Sequence, residues 1–223
     1  MTKKLLIQAL TKFSLGFMLV GLFIFLPAGT FAYVNGWLFM GILFVPMFCA
    51  GVVMMFKNPE LLRKRLNAKE KQKDQNLIVN LSGLMFLAGF IVAGLGVRLN
   101  WYILPEEFVI VATIVFLAAY LLYAEVLREN TYLSRTIEVQ EDQTVIDTGL
   151  YGIVRHPMYS ATLLLFLSMP IILGSVYAFI IFLMYPFMIV MRIKGEEECL
   201  ARDLNGYSEY MQRVKYRLIP FIW

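Results

Sequence analysis

The run Tyr151-Gly152-Ile153-Val154-Arg155-His156-Pro157-Met158-Tyr159 gathers an arginine, a histidine and two tyrosines between a polar stretch and a long apolar one. His156 is the only histidine of the chain. Ionisable groups beside a bilayer are costly to solvate and tend to mark function there. Pro157 suits the first turn of a helix, where its missing N–H costs nothing. The unpaired N–H groups and positive dipole of such a helix start suit an anionic ligand group. The same residue types also suit an ordinary interfacial anchor of Arg and Tyr. The residues alone leave both readings open.

Three further features carry polar chemistry. Arg192 and Glu196 stand four residues apart and share a helix face, with Glu197 and Glu198 beyond. One reading is a surface ion pair, worth roughly 0.3–0.5 kcal/mol. The other is a fixed cation aimed at a substrate carboxylate, with a carboxylate beside it for a cofactor's polar or cationic groups. Tyr207, Tyr210 and Val214 recur on one helical face and read as packing residues. Gln140 and the run Gln143-Thr144-Val145-Ile146 lie in the long connection before the histidine, where polar side chains are usually just solvated.

The elements that must position these groups are membrane helices. Of the 223 residues, 60% are hydrophobic, and they fall in blocks as long as the roughly 20 residues a bilayer requires. The mean hydropathy of +0.69 agrees with an all-α, polytopic helical membrane protein. Spans are expected at residues 5–25, 36–56, 77–97 and 108–127. The first is read as a retained span, since Pro27-Ala28-Gly29 makes a poor cleavage site. Gly83, Gly89, Gly94 and Gly96 in the third are expected to let helices pack closely.

Residues 128–156 form the longest polar connection. Residues 158–190 read as a tight helical hairpin turning at Gly174-Ser175, and residues 196–217 as an amphipathic cytosolic helix. The chain is read as a single membrane domain, residues 1–223. Residues 1–76 supply two spans and a basic loop; residues 77–223 supply the core that carries the polar motifs.

Charge distribution sets the expected topology. Lys3, Lys4, Lys12, the loop from Lys57 through Arg63, Lys64, Arg65, Lys69, Lys71 and Lys73, then Arg128, Arg135, Arg155 and the C-terminal segment fall on one side; Arg98 falls on the other. The first side is expected to be cytoplasmic, with the N-terminus and the polar motifs. The net charge of +4 is thus a topology signal, and no basic stripe interleaved with aromatics suggests nucleic acid. Cys49 and Cys199 lie far apart and match no paired metal spacing, so no metal is expected.

Taken together and in order, Arg155-His156-Pro157-x-Tyr159, Arg192-x-x-x-Glu196-Glu197-x-x-Leu200, Tyr207-x-x-Tyr210-x-x-Arg213-Val214 and Pro220-x-Ile222-Trp223 resemble the isoprenylcysteine carboxyl methyltransferase family, a relation of the phospholipid N-methyltransferases. Asn58-Pro59-Glu60-Leu61-Leu62 resembles the inner loop of bacterial members and points to a prokaryotic inner membrane. Two departures bear on the acceptor more than on the cofactor. Ala161 stands where a glycine is common, and Asp203-Leu204 replaces the usual Phe-Gly.

The resemblance implies a cytosolic S-adenosyl-L-methionine pocket formed by Gln140, Gln143, Thr144, Val145, Ile146, Tyr151, His156, Pro157, Met158, Tyr159, Glu196 and Glu197. It gives Arg192 the substrate, and Arg192 with Glu196 the catalytic role. The implied acceptor is lipidic or prenylated and reaches the site sideways from the membrane lipid. Three alternatives stay open: phospholipid amine methylation, a membrane sterol-type reductase using a nicotinamide cofactor, and a non-enzymatic membrane protein.

Overall fold

The computed structural model describes residues 3–66, 73–133, 137 and 139–223. Lys69, Lys71 and Arg135, counted above among the basic residues, lie outside the described residues, as does the side chain of Lys73. The helices are α1 (Lys3–Ala28), α2 (Val34–Lys57), α3 (Pro59–Leu66), α4 (Lys73–Arg98), α5 (Glu106–Glu129), α6 (Pro157–Ile172), α7 (Val176–Phe182), α8 (Tyr185–Asp203) and α9 (Tyr207–Arg213). A 3-10 turn covers Gly149–Gly152.

Among the described residues, five segments are long and apolar enough to cross a membrane: Lys3–Ala28, Val34–Lys57, Gln75–Arg98, Glu106–Glu129 and Val176–Asp203. The four expected spans are all present, each one to four residues longer at either end. Apolar runs keep their helix until a breaker or a polar turn stops it. In α1 that stop is Pro27-Ala28 followed by Gly29, whose N–H returns to the carbonyl of Phe25 at 3.0 Å.

The expected hairpin is also present. Its first arm, α6, has 16 residues, about 24 Å of helix against a hydrocarbon core of about 30 Å. Gly174, at φ +71°, makes the turn, and Ser175 caps α7 by accepting from the N–H of Ala178 at 3.2 Å. The second arm runs through α7 and α8 to Asp203, so Arg192, Glu196 and Glu197 sit on the spanning helix itself. The amphipathic element is correspondingly shorter than residues 196–217. It is confined to α9, and the chain after it turns back on itself because backbone carbonyls of the tail find partners near the histidine.

The core is apolar and aromatic. Phe39, Phe116, Phe182 and Ile172 are fully enclosed, and the Phe86 and Phe182 rings meet edge to face at 5.4 Å. The expectation for the α4 glycines holds in part. A side chain on Gly94 would collide with the carbonyl of Ile24 and the backbone of Ala28, so that glycine sets the α1–α4 approach. A side chain on Gly83 would meet open space.

The bundle has two distinct ends. At one, Leu104 donates to the carbonyl of Gly174 at 2.9 Å, and Tyr33 donates to the carbonyl of Leu173. At the other lie α3, the described parts of the connection between α5 and α6, the lower turns of α8, and α9 with the tail. Lys12 reaches this basic end to donate to the carbonyl of Leu66.

Candidate functional site

The basic end encloses a cavity whose walls come from four stretches of chain. The first is the end of α5 and the connection after it. Asn130 caps α5 with its backbone N–H, and its amide donates to the Tyr151 hydroxyl at 2.9 Å. Glu129 accepts from the N–H of Leu150 with both carboxylate oxygens, at 3.0 and 3.3 Å. Gly149, at φ +52°, lies directly against that carboxylate, where any side chain would collide with it. The last residue of α5 and its cap thereby fix the turn that presents Tyr151.

The second stretch is the histidine segment. Pro157 starts α6 with His156 just before it, as its fixed φ favours. Arg155 is buried at the cavity wall, and its guanidinium is taken up by bonds within the chain. Its Nε donates to Glu197 Oε1 at 2.7 Å, and its Nη1 donates to the carbonyls of Val214 and Lys215 at 2.7 and 3.0 Å. The backbone N–H groups of Arg155 and His156 donate to the carbonyls of Tyr216 and Arg217 at 2.9 and 2.8 Å. Arg217 Nε donates to Glu197 Oε2 at 2.8 Å, and His156 Nε2 lies 3.2 Å from Glu197 Oε1. A carboxylate only accepts, so that histidine nitrogen carries the proton. Two arginines and a histidine thus converge on one carboxylate and clasp the tail to the start of α6.

The third stretch is α8. Arg192, Glu196 and Leu200 stand at four-residue intervals and face the cavity together. The Tyr159 hydroxyl donates to Glu196 Oε2 at 2.6 Å and is also engaged by Arg192. Arg192 Nη1 lies 3.4 Å from Oε1 of Gln75, a buried amide of α4 packed tightly against Gly195. The fourth stretch is Leu204 with α9, whose Tyr207 and Tyr210 complete the wall. The Tyr210 hydroxyl donates to the carbonyl of Tyr151 at 2.7 Å. Burial pushes the hydroxyl pKa of Tyr151, Tyr207 and Tyr210 well above the usual tyrosine range, so all three are neutral donors near pH 7.

Of the residues singled out in the sequence, Gln143, Thr144, Val145, Ile146, Tyr151, His156, Met158, Tyr159, Arg192 and Glu196 line this one cavity. Gln140, Pro157 and Glu197 do not. Gln140 accepts from Lys64 of α3 through its side-chain oxygen, donates its side-chain amide to the carbonyl of Tyr132, and donates its backbone N–H to Gln143 Oε1 at 2.9 Å, so it braces the loop from behind. Pro157 sets the helix start. Glu197 faces the clasp, because one residue along a helix turns the side chain by about 100° from the face of Glu196.

The walls also hold residues the sequence reading left out: Asn130, Tyr132, Leu133, Ile137, Arg155, Leu200, Leu204, Tyr207 and Tyr210. Arg155 and Leu200 belong to the sequence motifs, but the spacing of those motifs assigns neither to a wall. The tyrosines of α9 carried a helical spacing that suits packing equally well, and nothing in that spacing separates Tyr207 from Tyr210.

Residues 109–202 match the family model of the isoprenylcysteine carboxyl methyltransferase (ICMT) family. The matched stretch runs from α5 to the last turn of α8 and holds both the histidine segment and the Arg192–Glu196 face. The motifs from Tyr207 onward lie beyond it. The chain is also similar to the Delta(14)-sterol reductase TM7SF2 of Mus musculus, with 31% identity over 91 residues. That similarity covers 40% of this chain and 22% of the relative, so the match spans about a fifth of the curated protein's length.

Proposed function

We propose that this protein is an integral-membrane methyltransferase that uses S-adenosyl-L-methionine to methylate a lipidic acceptor at the inner face of its membrane. The observation that carries the reading is the single cavity at the basic end. It joins the 143–146 loop, Tyr151, His156 to Tyr159 and the Arg192–Glu196 face of α8. The family match over residues 109–202 supports the same chemistry. The excess of Lys and Arg at that end supports its placement on the cytoplasmic side, where a soluble cofactor is available.

The donor set suits such a cofactor. Glu196 offers a carboxylate to a cationic amino group, His156 and Tyr159 flank it, and Val145, Ile146, Leu200 and Leu204 offer apolar walls. The bound cofactor would supply an electrophilic methyl group. The cavity of about 100 Å³ is smaller than the roughly 300 Å³ or more of a ligand pocket, so a nucleoside enters with outward movement of a wall. The 139–146 loop, which has no helix, is the wall with the fewest backbone bonds to break.

The remaining work falls to the chain's own residues. A carboxylate acceptor is ionised at neutral pH and requires no base. It requires alignment and partial neutralisation, and the Arg192 guanidinium, steadied by Gln75 and Tyr159, can give both through two parallel hydrogen bonds. His156 is committed to Glu197 through Nε2 and serves as a wall and positioning group. Closure of the loop excludes water from the transfer. An amine acceptor would instead lose a proton, with Glu196 as the acceptor of that proton.

Calorimetry with S-adenosylhomocysteine on the detergent-purified protein tests the reading. Saturable binding is expected, and its absence in a folded preparation would end it. Label transfer from methyl-labelled cofactor to extracted lipids and to a farnesylcysteine analogue then separates acceptors. Base-labile label means an ester and base-stable label an amine. The sterol reductase similarity motivates a second reading, a reductase using a nicotinamide cofactor in the same cavity. Binding of NADPH in place of S-adenosylhomocysteine would favour it.

A further inference from the structure

Among the described residues, the Tyr207 hydroxyl is the one buried side-chain polar atom without a hydrogen-bond partner. Tyr207 is 4% exposed and lines the cavity. A buried hydroxyl left unpaired is costly, and native structures hold few of them without a reason. Tyr210, three residues on with its ring 5.6 Å away, shows the contrast. Its hydroxyl is used up on the carbonyl of Tyr151 and ties α9 to the 3-10 turn. The Tyr207 hydroxyl has no such internal task.

Its position along the cavity narrows what it meets. Arg192, Glu196, Leu200 and Leu204 follow one another at four-residue steps along and just past α8. At about 1.5 Å per residue the series covers roughly 18 Å. The cavity therefore passes from a charged end at Arg192 and Glu196 to an apolar end at Leu200 and Leu204. Tyr207 belongs to the apolar cluster of Leu204 and Tyr210, against which Leu200 and Val145 pack, and its hydroxyl lies within electrostatic reach of Glu196. A sugar with vicinal hydroxyls is better met by a carboxylate. A flat heteroaromatic ring with a few polar edge atoms suits apolar walls and one hydroxyl that both donates and accepts.

We propose that the Tyr207 hydroxyl is the hydrogen-bond partner of an adenine base. An adenosyl ligand then lies along α8 with its base at Tyr207 and its charged end at Glu196. This rests on the proposed function for the identity of the ligand, but adenine is common to S-adenosyl and nicotinamide cofactors, so the two claims can fail separately.

The test is full-length wild-type protein against Tyr207→Phe, titrated with S-adenosylhomocysteine, with NADPH and with 5′-methylthioadenosine lacking both ribose hydroxyls. Tyr207→Phe is expected to weaken the adenosyl ligand that the wild type binds by about 3- to 10-fold, the value of one neutral hydrogen bond. The same loss is expected with the dideoxy compound. The ligand-free variant is expected to melt no lower than wild type, since the removed hydroxyl had no partner. Tyr210→Phe should melt lower, since its hydroxyl has one. Weakening seen with NADPH, where S-adenosylhomocysteine does not bind, would uphold the adenine contact and overturn the methyltransferase reading. Unchanged affinity, a loss that vanishes with the dideoxy compound, or a lower ligand-free melt for Tyr207→Phe would overturn the contact. A wild type that binds none of the three would overturn both.

Discussion

The two ends of the helical bundle are closed by different chemistry. At the end with Gly29, Leu104 and Gly174, connections are short and the closing bonds are neutral: Leu104 to Gly174, Tyr33 to Leu173, and Trp37 Nε1 to the carbonyl of Phe31 at 2.8 Å. At the basic end, a long connection and a returning tail are closed by ions. Arg155 and Glu197, each side chain 7% exposed, meet at 2.7 Å with Arg217 and His156 on the same carboxylate. A buried ion cluster contributes little net stability against an apolar replacement, but it fails badly if one member is lost. Neutral turns suffice to reverse a chain; the costlier arrangement is found where a cavity must be held in one shape.

Breaking the ion cluster should give the largest effect. Glu197→Ala leaves Arg155 buried without its carboxylate and is expected to cost about 3–5 kcal/mol. The check is the thermal or denaturant midpoint in detergent, and a wild-type midpoint would mean that the clasp is not what closes this end. Next is Arg192→Ala. Losing a charged hydrogen-bonding group from a reacting site should lower turnover by about 10- to 100-fold, while S-adenosylhomocysteine affinity stays within about 3-fold. Normal turnover would refute its substrate role.

A matched pair of glycines sharpens the comparison. Gly149 and Gly174 both hold positive φ, one at each end. Alanine at either is expected to cost about 1–2 kcal/mol of stability from the left-handed backbone. Gly149→Ala should in addition weaken cofactor binding, because it displaces Glu129 and the turn carrying Tyr151; Gly174→Ala should leave affinity unchanged. Calorimetry on both variants decides it. The smallest effect belongs to Tyr33→Phe, about 1 kcal/mol for one hydrogen bond, with turnover untouched. A loss of turnover there would show that the two ends are coupled.

Much of the arrangement was legible in one dimension. Apolar block length placed the four spans and the hairpin, since a bilayer demands backbone satisfaction within each segment. Helical spacing put Arg192 and Glu196 on one face, and proline chemistry put Pro157 at a helix start. Periodicity could not say where α8 ends: the charged run Glu196-Glu197-Glu198 reads as an exit from the membrane, yet helix hydrogen bonds continue unbroken to Asp203. Nor could it split the neighbouring glutamates, one toward the cavity and one into the clasp.

The sequence by itself therefore determined the membrane class, the long apolar helices and which polar stretches are candidates for a site, because these depend on local patterns of hydrophobicity and turn residues. Tertiary structure alone decided which side chains share a cavity. Gln75 behind Arg192, Glu129 under Gly149 and the unpaired hydroxyl of Tyr207 are each brought to the site by elements distant in the chain. The identity of a hydrogen bond's partner is set by packing in three dimensions, and no local spacing encodes it.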